Sequence, residues 1–317
     1  MAILTSNIDD LLNPNYVEIE ILNELSPALS WLDLFPPTQN DVGQFKRMNA
    51  AESAKARAEG GGLGQPLELG PLSELDTINI SKIDYNIGKL AVFGYSIEFL
   101  DTAKKQGDFA DDLKRGYNQA IYNMADKACS IVGAEFMANA RKSKADIKGN
   151  WSAEDAVPDS DMTLLEKEMM IEGKPWRLDT MLLNKNPFFG YKDYVKTIPG
   201  LDAKVGLDEI ERNGAKYRNF NGALPEGTGA GMDSRFPPIS TFKNVDPAYS
   251  NVRRVEIDAA TNKDSPSNKE TESFPQSLIN IDMFKEQRTP KYNVIELWME
   301  FGAGMKEPEA SMLVPGL

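Results

Sequence analysis

Between residues 108 and 144 the sequence carries an apolar stripe that only a long helix can keep on one side. Leu113, Tyr117, Ile121, Met124, Ala128, Val132 and Phe136 recur at spacings of three and four, the period at which residues share a helix face. Lys114, Asn118, Gln119, Asn123, Asp126 and Lys127 fill the opposite side. Asp108 stands at the N-cap position, with Asp111 and Asp112 in the first turn, where the positive helix end favours carboxylates. Arg141, Lys142 and Lys144 place cations at the other end. Drawn from Asp111 to Ala140, the helix is about 45 Å long at 1.5 Å per residue. Most globular helices stop near a dozen residues, so this one is a rod around which other elements must be built. Leu113, Tyr117, Ile121, Met124, Val132 and Phe136 are its expected core contacts. Cys129, the only cysteine, lies in the same segment and reads as a small core residue.

The segments before the rod read as extended and poor in core. Residues 15–25 read as one short helix, apolar too densely to be a one-faced surface helix, and Ser26-Pro27 ends it. Leu29, Trp31, Leu32, Leu34 and Phe35 then fall within seven positions before Pro36-Pro37. An apolar arm of this kind needs another surface to cover it, and Trp31, Leu32, Leu34 and Phe35 are its expected contacts with a neighbouring subunit. Residues 45–59 are rich in Ala, Lys and Glu, and Gly60-Gly61-Gly62-Leu63-Gly64 follows as a flexible breaker. The glycines fit no phosphate loop: no Gly-Lys-Ser/Thr follows, and Leu67 stands where a dinucleotide loop needs glycine. Ile78 and Ile80 alternate with polar neighbours, and residues 84–97 continue with β-branched and aromatic residues. Residues 45–97 therefore read as a long hairpin.

Beyond the rod, Asp179–Asn184 reads as a buried strand. Residues 258–273 are almost free of apolar side chains and read as a solvated loop. Ile295, Leu297, Met299 and Phe301 alternate along a strand, and a last strand follows from Ala310 to Val314.

The chemistry available to this chain is narrow. It contains no histidine and one cysteine, which removes Ser-His-Asp and Cys-His catalysis and every Cys/His zinc site. Asp159-Ser160-Asp161 is the one pattern suited to a divalent cation, and a lone pair of this kind in a polar stretch is usually a loop. No catalytic residue, cofactor or metal is expected, and the chain is read as not an enzyme. The net charge of −13 opposes binding to polyphosphate. No run approaches the roughly 20 apolar residues of a membrane span, and no secretion signal is read at the N-terminus.

The order of parts resembles the major capsid proteins of tailed phages, which share the Hong Kong 97 fold with encapsulins. Residues 86–100 look like that family's strand before its spine helix. Asp111–Lys142 looks like the spine, Asp179–Asn184 like a characteristic strand, and Glu300–Ala310 like the closing strand pair. The resemblance implies an α+β, Hong Kong 97-like capsid fold. Its parts would be an N-terminal arm (1–44), an E-loop hairpin (45–90), a peripheral domain (91–189, spine 109–142), an axial domain (190–280) and return strands to the peripheral domain (281–317).

It implies a subunit that assembles through hexamers and pentamers into an icosahedral head around double-stranded DNA. The DNA would be enclosed without specific binding. Assembly would take place in the host cytoplasm, with portal, scaffold or decoration proteins as further partners and no membrane contact. An encapsulin-type compartment is the alternative. Some members crosslink lysine to asparagine; Lys82 and Lys89 could be placed for this, but no lysine stands out and no crosslink is expected.

Overall fold

The computed structural model describes residues 34–35, 37–39, 44–47, 86–105, 108–153, 155–171, 174–198, 203–220, 224–243, 253–257, 276–285, 292–305 and 307–317. Trp31, Leu32, the helix expected at 15–25, the glycine-rich tip at 60–64, the strand at 78–82 and the polar loop at 258–273 lie outside these residues.

Short strands β1 (Pro37–Gln39) and β2 (Gln44–Arg47) come first, then β3 (Asn86–Lys89) and the long β4 (Ala91–Leu100). Helix α1 (Phe109–Asn139) follows, and then β5 (Arg141–Lys142). Helix α2 (Pro158–Met169) leads to β6 (Met170–Ile171), β7 (Lys174–Pro175) and β8 (Thr180–Leu183). After α3 (Lys185–Thr197) come β9 (Ala203–Val205), β10 (Glu209–Arg212), β11 (Ala215–Asn219) and β12 (Thr228–Met232). The chain continues through β13 (Ile239–Lys243), β14 (Arg253–Ile257), β15 (Gln276–Lys285), β16 (Tyr292–Gly304) and β17 (Ser311–Pro315).

Helix α1 has 31 residues and starts where the aspartates direct it. The amides of Asp111 and Asp112 both donate to the Asp108 carbonyl, at 3.1 Å. It ends earlier than the cations suggest. Arg141 and Lys142 leave the helix and pair in parallel with Met312 and Leu313 of β17, so no basic residue occupies the last helical turn. A backbone that can join a sheet edge gains ladder hydrogen bonds, and these outweigh the few tenths of a kcal/mol that a cation gains at a helix terminus.

The chain divides into two compact units. One holds Lys89–Ala128 and Ile239–Ala303, the other Cys129–Pro238 and Gly304–Leu317. The first contains a sheet in the order β1-β13-β16-β15-β14, with β4 also paired to β16. Along β16, Ile295, Leu297, Met299 and Phe301 are buried, as their alternation predicts. The second unit contains a seven-stranded sheet, β5-β17-β12-β8-β11-β10-β9.

These boundaries differ from the sequence expectation. The strand at 180–183 and the last strand, placed there in the peripheral domain, share one sheet with strands of residues 203–232. Alternation shows that a segment is a strand but carries no information on which distant strand it pairs with. The core of the second unit is built on one face of this sheet: Trp151, Leu165, Met169, Met181, Leu183, Phe188, Tyr191, Ile210 and Val314 are all buried in it.

Candidate functional site

The helix stripe supplies the interior. Leu113, Tyr117, Ile121, Met124, Val132 and Phe136 are all buried, and so is Cys129. One carboxylate breaks the apolar pattern: Glu135 is only 4% exposed. It accepts from the Met305 amide at 3.0 Å and from the Arg47 guanidinium at 3.4 Å. Burial pushes its pKa above the usual carboxylate range, against the lowering effects of Asn139, the Met305 amide and Arg47. Arg47 stands at the end of β2, which pairs with β3, so this ion pair ties the base of the expected hairpin to the helix. Sequence reading missed it because a glutamate one position from Phe136 looks like solvent-side charge.

Asp159 and Asp161 do not sit in a loop. They occupy the first turn of α2, and protein donors use both carboxylates. Asp161, 1% exposed, accepts from the amides of Lys148 and Gly149 and from Trp151 Nε1, at 2.8, 2.9 and 3.0 Å. Asp159 takes both terminal nitrogens of the buried Arg212, the NH2 contact at 2.7 Å, and accepts from the Tyr194 hydroxyl at 3.1 Å. That bidentate bond raises the Arg212 pKa above its ordinary value. Burial likewise pushes Tyr191 up. The pair fixes α2 to β10 and to the loop at 148–151 as an internal brace. Among the described residues no group of three or more His, Cys, Asp or Glu could hold a metal ion, and no helix is long and apolar enough to cross a membrane.

The brace shapes a surface cleft of about 530 Å³. One wall is the loop Trp151, Ser152, Ala153 and Ala156. The other is a single face of α3, with Asn186, Phe189, Gly190, Asp193, Tyr194 and Thr197 at the three-and-four spacing of one helix side. Loop and helix approach so closely that a Cβ on Gly190 would stand 2.3 Å from the Trp151 carbonyl oxygen. The loop turns through Gly149 and Asn150, both at positive φ (64° and 44°), a region open mainly to glycine and asparagine. Beside α3, the hairpin β9–β10 presents Leu207, the most exposed large apolar side chain among the described residues at 83%. The next turn, Asn213-Gly214, joins β10 to β11 with φ of 52° and 78°. It carries a hairpin signal legible in the sequence alone, though the sequence reading did not use it.

Of the four residues expected to reach a neighbouring subunit, Trp31 and Leu32 lie outside the described residues. Leu34 is half-buried. Phe35 is 0% exposed: its ring is enclosed by its own chain and is not available to a neighbour.

No family model matches the sequence, and no curated protein matches it. Solved structures do match. A chain of the virus-like particle from Pyrococcus furiosus superposes with a TM-score of 0.51 at 9% identity, covering 95% of this chain and 98% of that one. A chain from the capsid of an empty GTA particle also gives 0.51 at 9% identity, covering 90% and 89%. At such identity what is shared is the fold: a mixed helix-and-sheet fold of the kind found in phage-type capsid and virus-like-particle chains.

Proposed function

We propose that this chain is the major capsid protein of a tailed virus, a Hong Kong 97-like subunit that assembles through hexamers and pentamers into a head shell around double-stranded DNA. The observation that carries this reading is the near-complete coverage of both chains in the match to a virus-like-particle subunit. The absence of histidine, the enclosed Cys129 and the fully bonded Asp159 and Asp161 agree with a structural role. The net charge of −13 suits a wall that surrounds DNA without gripping it.

In this assignment residues 190–280 ring the local symmetry axis, and residues 45–90 form the hairpin laid over a neighbour. The arm's contact with that neighbour falls to Trp31, Leu32 and Leu34. Sedimentation, light scattering and negative-stain microscopy at micromolar concentrations, with and without any companion scaffold, test the reading. Rings, pentamers, hexamers or closed particles are expected. A monomer under all those conditions overturns it.

A further inference from the structure

The cleft beside α3 and the hairpin tip at Leu207 have matching chemistry. Phe189 and Tyr194 give the cleft an aromatic lining, and Asp193 adds its one carboxylate; Trp151 at its wall is itself buried. Phe189 is 42% exposed, so apolar surface is left facing water. The hairpin carries the complement: Leu207 and Val205 project apolar side chains, both exposed, and Lys204 beside them is a largely exposed cation.

The tip is held firmly. Lys192 Nζ donates to the carbonyls of Gly206 and Leu207 at 2.7 and 3.0 Å, and the Gly206 amide donates to the Glu209 carbonyl at 2.7 Å. Within the subunit Leu207 gains almost no burial from this fixed position. A partner that buries it would.

Knob and cleft are unlike patches that adjoin at Phe189: Lys192, which holds the tip, is about 160° around α3 from Gly190, and its Nζ lies 5.8 Å from the centroid of the Phe189 ring at the cleft. A contact between unlike patches is head-to-tail, and repeated around an axis it closes a ring. Charge agrees with this pairing. On the free subunit Asp193 bonds Lys196 and Lys204 bonds Glu211, each at 3.1 Å. Both are exposed pairs, worth little and easily exchanged.

We propose that Leu207 and Val205 of one copy seat against Phe189 and Tyr194 in the cleft of a second copy, with Lys204 facing Asp193. This contact rests on the shell-subunit reading and gives it a residue-level join within the ring.

Cysteine crosslinking of assembled protein tests the contact. Leu207→Cys combined with Ala153→Cys should, on oxidation, give a covalent ladder rising to ring size. Either substitution alone should give none, since Cys129 is buried. Leu207→Asp should melt as wild type does but need at least about tenfold more protein to assemble. Asp193→Lys and Lys204→Asp should each weaken assembly, and together restore it. If wild type forms particles while Leu207→Asp forms them at the same concentration and no ladder appears, the contact is overturned and the shell reading stands. A ladder that stops at dimers overturns the head-to-tail arrangement. Wild type that never leaves the monomer removes the shell reading and this contact with it.

Discussion

Strand β12, Thr228-Gly229-Ala230-Gly231-Met232, has one large apolar side chain, yet all five of its residues are buried. Strand β4 carries Val92, Phe93, Tyr95, Ile97, Phe99 and Leu100, and of its ten residues only Phe99 is buried. The difference lies in place, not composition. β12 is paired along its whole length on both edges, to β17 and to β8. β4 is paired on one edge, from Ala91 opposite Phe301 to Leu100 opposite Tyr292, and has no second strand beside it among the described residues. Val92 remains 67% exposed. Solitary proteins usually blunt such an edge with lysine, proline or a bulge; β4 has a single charge, Glu98. One strand is spent on the subunit's own stability. The other leaves apolar side chains such as Val92 and Tyr95 exposed.

Substitutions can break this contrast, and the largest effect should fall on the enclosed sheet. Leu182→Ala, in β8 next to β12, should destabilise the unassembled subunit by about 2–5 kcal/mol, the range for emptying a buried large site, in a denaturant titration. A loss near zero would mean that the sheet is not the subunit's core. Asp161→Ala should follow at about 3 kcal/mol, because it orphans the buried Gly149 amide, the buried Trp151 indole N–H and the partly buried Lys148 amide. Calcium or magnesium should leave the wild-type midpoint unchanged; a rise with either ion that Asp161→Ala abolishes would return the pair to metal binding.

Glu135 should give a smaller, pH-dependent effect. Its pKa is raised in the folded chain, chiefly by burial. Its contribution to stability is therefore complete below the ordinary carboxylate value of about 4.3 and is lost as pH rises through the raised value. Glu135→Gln should gain stability relative to wild type between pH 4 and pH 7, read from denaturation midpoints across that range. If the variant instead loses ground as pH rises, attraction to Arg47 outweighs burial. The smallest effect on the subunit should come from the open strand: Val92→Ser should change its stability by less than about 0.5 kcal/mol. The same substitution should lower particle yield, measured by sedimentation, if β4 meets another copy.

Legibility from the sequence followed how local each signal is. The long helix could be read because Asp108 and the stripe from Leu113 to Phe136 repeat one instruction over 31 residues. β16 was clear from the alternation of Ile295, Leu297, Met299 and Phe301. What stayed hidden depends on distant partners. Arg141 and Lys142 look like helix-ending cations until β17, some 170 residues on, offers them a sheet edge. Asp159 and Asp161 look like loop carboxylates until Arg212 and the loop at 148–151 supply their donors. Phe35 looks exposed because the sequence cannot show which part of its own chain closes over it. The cleft has no sequence signature at all: its two walls meet only because Gly190 lets α3 approach the Trp151 carbonyl.

The three hydrogen bonds into Asp161 also bear on timing. They hold the loop at 148–151, including its two left-handed residues, in one shape before any partner arrives. A surface that must first order itself gives up backbone entropy at each encounter, roughly 1–2 kcal/mol for every residue fixed, and associates more slowly when docking must wait for rearrangement. Here that ordering happens once, during folding. In the proposed ring, each later encounter then depends only on diffusion and orientation.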